Sequence, residues 1–365
     1  MGRNSTDTSG TPLSCGIVGA TSLLGRELGT ALGEAGFNRL RLLRSPEEEA
    51  PASERKLTDF ADEPALVEAF APEQLADLDV LFLAGGANSA RHALAAARNF
   101  PVTIPVTSPV TSPVTIIDLS GGLAGEAGAV TAGWNGVGRP AAASARVPAR
   151  LMVVAHPAAQ ALAHMLAALD TLGPHRSCAT VFEPASERGW DGIRELEQQT
   201  VRMLALQSQP QKVFGVQIAF NLRTQLGEAA APSLEAVRAR IAGELARLRA
   251  PASVAPALQL LQAPLFHASV ISLYVQFTGQ FTTLVNAAAV TAALSGPDTE
   301  WHEQDPDVTA VADADDADNA RLHLGPPRGE AGAPGGFWLL ATLDNLRRTA
   351  ASAAACARAL VQDRT

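Results

Sequence analysis

Cysteines, aromatic residues and long apolar runs are all scarce in this chain. Three cysteines occur among 365 residues, at Cys15, Cys178 and Cys356, and no two of them form a CxxC pair. This spacing excludes a disulfide framework and a zinc knuckle, and it is typical of proteins of the reducing cytoplasm, where we expect this chain. Aromatic residues make up 5% of the sequence, which is too few for the stacking platforms that bind single-stranded nucleic acid.

The charge balance and the hydropathy pattern exclude further partners. A formal net charge of −9 gives no global attraction for nucleic acid or an anionic membrane, so neither is expected as a partner. The most apolar run, residues 151–169, contains His156, Pro157, Gln160 and His164. These polar interruptions favour a buried segment over a membrane span. Hydrophobic content of 47% with 18% charged residues is typical of a globular protein, and the length predicts two domains.

What the chain does contain begins with a glycine-rich turn in CGIVGATSLLGRELGTAL, residues 15–32. A short apolar strand, a turn of small residues and a helix follow one another here. This order is typical of a dinucleotide site, where glycines let the backbone approach the pyrophosphate and the free N–H groups of the helix start face its charge. An ordinary tight βα turn is the alternative. The candidate cofactor-binding residues of this turn are Gly19, Thr21, Ser22, Leu23 and Leu24.

Two later strand ends extend this candidate site. Residues 40–43 form a predicted strand followed by Arg44 and Ser45, and a basic residue there favours the 2′-phosphate of NADP. A solvated strand end is the alternative. Residues 80–83 form a buried strand that opens into Gly85 and Gly86, which would let a cofactor lie across the strand end.

The rest of the chain predicts an α/β fold with an α+β insert. Residues 1–12 lack the apolar core of a signal peptide and are expected to be disordered. The repeat PVTIPVTSPVTSPVT, residues 101–115, predicts an extended insertion, because frequent proline forbids a helix and a central strand. Residues 59–78 predict surface helix and loop, and residues 214–222 a strand. The predicted first domain spans 13–150, and the second spans 151–343.

Six stretches, taken together, resemble the aspartate-semialdehyde dehydrogenase family. They occur in the family's order, and the resemblance covers nearly the whole chain, roughly residues 14–362. The stretches are GATSLLGREL (19–28), LAGGANS (83–89), IIDLSG (116–121), SERGWDGIRELEQQT (186–200), VQIAFN (216–221) and LDNLRRTAA (343–351).

The resemblance implies a Rossmann-type NADP-binding domain, completed by the C-terminal helix 344–362, and an α+β domain for catalysis and dimerisation. It implies a homodimer that reduces an aspartyl phosphate to the semialdehyde through a cysteine nucleophile and a histidine base, with arginines holding the anions. It also adds Asn345 to the candidate cofactor-binding residues.

The catalytic positions depart from the family pattern. Ala159 stands at the nucleophile position and Ser269 at the base position. His267, two residues earlier, is a displaced candidate base on the same face of the predicted strand, about 6–7 Å away. A histidine hydrogen-bonded in a former pocket is the alternative.

The anion-holding positions depart as well. Ala124 stands where the family's phosphate arginine is expected. Arg238 and Arg240 are weak candidates for the substrate carboxylate, the alternative being a solvated basic helix face.

These replacements predict a catalytically degenerate relative that keeps the fold, the dimer and an NADP or small-molecule site. The alternative is an active NADP-dependent aspartate-semialdehyde dehydrogenase of the pathway to lysine, threonine and methionine. Cys178 follows a histidine and an arginine that could lower its pKa, but a structural cysteine is favoured. No metal site is predicted, since His156 and His164 have no further ligands at suitable spacing.

Overall fold

The structure is a computed structural model that describes residues 13–45, 56–60, 63–99, 114–134, 136–137, 151–250, 253–313 and 320–362. The predicted disordered segment 1–12 and all but two residues of the predicted insertion 101–115 lie outside these ranges. None of the helices described is long and apolar enough to cross a bilayer.

The first sheet has nine strands in the order β3-β4-β2-β1-β5-β6-β9-β7-β8. The seven strands from β4 to β7 run parallel, and an antiparallel strand closes each edge. The strands are β1 (Cys15–Val18), β2 (Leu40–Arg44), β3 (Lys56–Phe60), β4 (Glu63–Ala69), β5 (Val80–Leu83), β6 (Thr115–Asp118), β7 (Val130–Gly133), β8 (Gly136–Val137) and β9 (Leu151–Val154).

The second sheet has the order β11-β10-β12-β16-β14-β13, with β15 also paired to β16. Its strands are β10 (His175–Glu183), β11 (Ala257–Gln262), β12 (Ser269–Phe277), β13 (Thr299–Trp301), β14 (Leu322–Leu324), β15 (Arg328–Gly329) and β16 (Gly336–Leu343). The helices are α1 (Leu23–Glu34), α2 (Ala87–Asn99), α3 (Pro157–Asp170), α4 (Gly189–Leu204), α5 (Leu234–Leu248), α6 (Phe281–Leu284), α7 (Ala287–Leu294), α8 (Val308–Asp313) and α9 (Asn345–Gln362).

The predicted fold class, a Rossmann-type parallel sheet with a second mixed sheet, is confirmed. The central strands β1 and β5 are buried along their whole length, as parallel strands covered on both faces must be. Helix α9 returns to this sheet: its small residues Ala350, Ala353 and Ala357 share one apolar core with Cys15 and Leu28. A second core lies between the other sheet and helices α3 and α5.

Residues 59–78 were predicted as surface helix and loop, and this is wrong for their first half. Strand β4 pairs in parallel with β2, and β3 folds back on β4 as a hairpin. An alanine-rich, acidic sequence favours helix locally, but pairing with the open edge of β2 satisfies its backbone and overrides that preference.

The strand predicted for residues 214–222 does not form. Backbone N–H groups of this segment donate to side chains of α4 instead. The Glu195 carboxylate accepts from Lys212, Val213 and Phe214, and the Gln199 carbonyl oxygen accepts from Ile218 and Ala219. Two buried side chains therefore replace the strand partner that the apolar pattern predicted.

The predicted boundary after residue 150 falls one strand too early for the sheets. Strand β9, residues 151–154, pairs with β6 and β7 inside the first sheet. An apolar strand carries no mark of the sheet it joins, so the sequence could not place it. The rest of the predicted domain division stays a proposal.

Candidate functional site

The turn after β1 contains two glycines with backbone atoms packed directly against them. Gly19 has a φ of +81°, and a Cβ on it would lie 2.5 Å from the backbone nitrogen of Gly85. A Cβ on Gly25, in the first turn of α1, would collide with the Gly19 carbonyl oxygen. The turns after β1 and β5 therefore meet backbone to backbone at the carboxyl edge of the sheet, where dinucleotides bind in this class of fold.

Ser22, one of the candidate cofactor-binding residues, is the N-cap of α1. Its hydroxyl oxygen accepts from the Gly25 N–H at 2.9 Å and its hydroxyl donates to the Ala84 carbonyl at 2.9 Å. The side chain thus fastens the turn to β5 and is committed within the protein. Thr21 lies half-buried beside it, and Leu23 and Leu24 form the first turn of α1, which carries no acidic residue that would repel a phosphate.

The other predicted cofactor residues lie around the second glycine turn. A Cβ on Gly85 would lie 3.2 Å from the Ser45 hydroxyl oxygen, so the ends of β2 and β5 are adjacent. Gly86 is exposed, with open space beside it. Arg44 is buried, so the solvated strand end that was the alternative for this residue does not occur. This edge could hold a dinucleotide.

Asn345 is the first residue of α9. Its amide donates to Glu187 at 2.8 Å and its carbonyl oxygen accepts from the Ser186 hydroxyl at 3.2 Å. Two residues later, Arg347 pairs with Glu27 of α1 at 3.3 Å. The start of α9 therefore links helix α1 to the segment that follows β10.

The nucleophile position is a fully buried methyl group. Ala159 is 0% exposed in the first turn of α3, where the helix packs into the second core. The Gln160 side chain beside it donates to the Ala155 carbonyl and accepts from the Ser352 hydroxyl of α9. Neither residue presents a nucleophile.

The base position lies in a row of buried polar side chains. Ser269 begins β12, and continuing the register of β10 and β12 by one residue places it opposite Glu183, which pairs in turn with Gln262 of β11. Side chains at paired positions share a face of the sheet. Within the described residues, no hydrogen-bond partner reaches Oγ of Ser269, Oε2 of Glu183 or Oε1 of Gln262.

His267 was predicted on the same strand face as Ser269, and this is wrong. The strand begins only at Ser269, and the intervening Ala268 has a φ of +62°, so side chains do not alternate across this step. His267 lies in the preceding loop near Asp344. Burial raises the pKa of the Asp344 carboxyl, and the charge of His267 is among the groups that oppose this.

The two candidate arginines of α5 take different positions. Arg238 pairs with Glu235 on the helix surface at 2.6 Å. Arg240 reaches the first sheet: its guanidinium donates to Glu244 at 2.8 Å and to the carbonyl oxygens of Ser120 and Val154 at 2.9 and 3.4 Å. Every nitrogen of Arg240 is thus bonded to the protein, so it fastens α5 to the sheet.

Comparison with known proteins places this architecture. No family model matches the chain. The USG-1 protein homolog of Pseudomonas aeruginosa is 29% identical over 346 residues, which are 93% of this chain and 95% of that protein. A probable aspartate-semialdehyde dehydrogenase from Pseudomonas aeruginosa superposes with a TM-score of 0.77 and 27% identity, over 97% of this chain and 100% of that one. The predicted resemblance to the aspartate-semialdehyde dehydrogenase family is confirmed. The chain is similar to aspartate-semialdehyde dehydrogenases over nearly its whole length.

A more distant likeness concerns the fold alone. Aspartate semialdehyde dehydrogenase with NADP from Candida albicans has a TM-score of 0.60 and 12% identity, covering 97% of this chain and 98% of that one.

The sequence analysis considered His156 only as a metal ligand and missed its place among the buried polar groups. His156 caps α3, accepting from the Ala158 N–H at Nδ1, and its Nε2 lies 3.6 Å from a Glu187 carboxylate oxygen. Burial, reinforced by the Arg240 guanidinium, lowers the pKa of His156 well below its usual value. Its position directly after a buried strand was the signal that could have found it.

Proposed function

We propose that this protein binds NADP at the carboxyl edge of the first sheet and does not catalyse phosphorylating oxidation of aspartate semialdehyde. The observation that carries the proposal is Ala159, because a methyl group with no solvent exposure stands where the family has its nucleophilic cysteine. Covalent catalysis requires a nucleophile that can form and release the acyl group, and losing it costs many orders of magnitude in rate.

No cysteine of the chain is placed to act instead. Burial raises the pKa of the Cys15 and Cys356 thiols to about 12, and both lie in the core of the first sheet. Cys178 is exposed on β10, five residues before Glu183, which is roughly 16 Å along a strand. These free thiols also fit the cytoplasm, where we place the protein.

The anion-binding groups support the same conclusion. Three of the five N–H groups of Arg240 donate to the protein, so at most two are left for a substrate carboxylate. Arg238 is committed to Glu235 by two hydrogen bonds. Both candidate arginines are therefore held mainly by groups of the protein itself.

NADP binding is supported by the open edge around Gly19, Gly85 and Gly86. Arg44 and Ser45, at the end of β2 beside this edge, favour NADP over NAD, since a 2′-phosphate needs positive charge and donors there. The dimer is part of the proposal too. Exposed apolar side chains at the end of α4 and in the segment after it offer a surface for a second copy: Val201, Leu204, Leu206, Phe220 and Leu222.

Two measurements on the purified full chain test the proposal. Titration of NADPH, followed by cofactor fluorescence, should saturate at one equivalent per chain. A mixture of aspartate semialdehyde, phosphate and NADP should give no NADPH above the no-enzyme background. Turnover similar to that of an active family member would overturn the loss of catalysis, and absence of saturable binding would overturn the cofactor site.

Matched variants identify which missing group matters. Ala159→Cys alone should stay inactive, because Ser269 cannot act as the base. The Ala159→Cys/Ser269→His double variant tests whether the scaffold still supports the reaction. Iodoacetamide labelling of the introduced cysteine, compared with wild type, controls for whether that thiol is reachable.

A further inference from the structure

A cluster of two histidines and a glutamate lies at the far edge of the second sheet, away from the positions discussed so far. Strand β13 pairs in parallel with β14, and Glu300 lies directly opposite His323. His302 follows β13, and its backbone N–H donates to the Leu324 carbonyl at 2.9 Å, which continues the pairing. Glu300 and His302 are two residues apart on an extended segment, so all three side chains share one face.

The ligand atoms of this cluster are close together. His302 Nε2 lies 3.0 Å from His323 Nδ1, and His323 Nδ1 lies 3.9 Å from Glu300 Oε2. One nitrogen or oxygen from each residue falls within 4.8 Å of the other two. Ligands that bond a tetrahedral zinc ion at about 2.0–2.1 Å are about 3.3 Å from one another, so small side-chain rotations suffice to bind an ion.

The surroundings favour a bound cation. His323 is buried, His302 is half-buried and Glu300 is exposed, so the pocket has a closed side and an open side. Two imidazole nitrogens 3.0 Å apart cannot both carry a proton without electrostatic repulsion, whereas a shared metal ion satisfies both lone pairs at once. The carboxylate supplies negative charge at the open side.

We propose that Glu300, His302 and His323 form a binding site for a single divalent transition-metal ion of the zinc class. Two imidazoles and one carboxylate suit zinc and its neighbours, whereas magnesium and calcium prefer oxygen ligands throughout. The fourth position faces solvent and takes a water molecule.

The ion would act as a structural clamp. It would join β13 to β14 across the 20 residues from 303 to 322, and β14 pairs in turn with β16. Binding to the folded chain alone stabilises it in proportion to the logarithm of the metal concentration. The role is independent of NADP binding and of the catalytic positions.

The test uses chelator-treated full-length protein without an affinity tag. Calorimetric titration with zinc chloride should show one equivalent bound per chain, and zinc should raise the melting temperature reversibly with EDTA. Cobalt(II) should give the visible absorption bands of a four-coordinate site. Absence of zinc binding would overturn the proposal and leave a plain histidine–histidine hydrogen bond.

Variants of the accessible ligands separate this site from adventitious binding. Glu300→Gln and His302→Asn should each weaken zinc binding at least about tenfold. Glu303→Gln, an exposed carboxylate in the same segment, and His92→Ala, an exposed histidine of α2, should leave binding unchanged. Binding that is unaffected by the first pair, or equally reduced by both pairs, would contradict the assignment. Melting curves without metal show whether each variant is folded.

Discussion

The edge of the first sheet where we propose that NADP binds, and the positions of Ala159 and Arg240 on α3 and α5, differ in what occupies them. At the first, Gly19 and Gly85 touch backbone to backbone and Gly86 faces open space. At the second, Ala159 is buried and the side chain of Arg240 is bonded back to the protein. The first place is open to a ligand, whereas the second is filled by side chains that pack against or hydrogen-bond to the protein itself.

This difference separates residues that the fold requires from residues that only the reaction requires. Gly19 must be glycine because its φ is positive and its neighbour is backbone, whether or not a cofactor binds. A catalytic side chain carries no such requirement, so Ala159 and Ser269 can replace it without disturbing the packing. The glycine turn therefore identifies the fold more strongly than it indicates any activity.

The largest expected loss of stability comes from removing the Arg240 side chain, which fastens α5 to the first sheet. Arg240→Met should destabilise the protein by about 3 kcal/mol, because Glu244 would be left buried without its partner and two carbonyls would lose their donor. Urea unfolding at pH 7 measures the loss. If Arg240 served chiefly as a ligand-binding group, the variant would keep wild-type stability. That result would contradict the structural role given to Arg240.

At the open edge, Gly19→Ala should cost about 2–3 kcal/mol of unfolding free energy and weaken NADPH binding. The alanine would have to adopt a positive φ, and its Cβ would lie 2.5 Å from the backbone nitrogen of Gly85. Urea unfolding and NADPH titration measure the two effects.

Gly33→Ala is the matched control, since Gly33 lies in α1 with nothing within 4 Å of an added Cβ. It should be neutral or stabilising by up to about 1 kcal/mol. Equal effects of the two substitutions on the free energy of unfolding would show that the contact between the turns after β1 and β5 does not restrict residue 19 to glycine.

Whether a feature could be predicted from the sequence depends on whether it lies within a local motif. The turn around Gly19 and the substitution at Ala159 could be found because each lies inside a local motif with fixed spacing. The β3–β4 hairpin, the left-handed Ala268 that removes His267 from the strand, and the Glu195 contacts to residues 212–214 could not. Each depends on which distant group the chain meets, and a local pattern carries no record of that.

The buried row of the second sheet should show in the pH dependence of stability. Burial, with the neighbouring Glu187 carboxylate adding to it, raises the pKa of Glu183 to about 8. The folded state then holds a proton that the unfolded state has lost, so this group lowers stability as pH rises from about 4.5 to about 8. Glu183→Gln should therefore gain up to about 4 kcal/mol over wild type at pH 8, and much less at pH 5.

Urea unfolding at both pH values tests this, with Glu197→Gln, an exposed residue of α4, as the control. A gain that is the same at pH 5 and pH 8 would assign the effect to packing rather than ionisation. No gain at either pH would mean that a partner stabilises the Glu183 carboxylate. The row of Ser269, Glu183 and Gln262 would then be a polar site open to solvent.

The smallest expected effect is at Arg238, on the same helix as Arg240. Its pair with Glu235 lies on the surface, where both side chains are solvated, and such pairs contribute little to stability. Arg238→Ala should therefore leave urea unfolding and NADPH binding unchanged within error. A loss comparable to that of Arg240→Met, or a change in dimerisation by analytical ultracentrifugation, would show that this face of α5 is covered in solution. The difference between the two arginines would then reflect what each one contacts in the assembled protein.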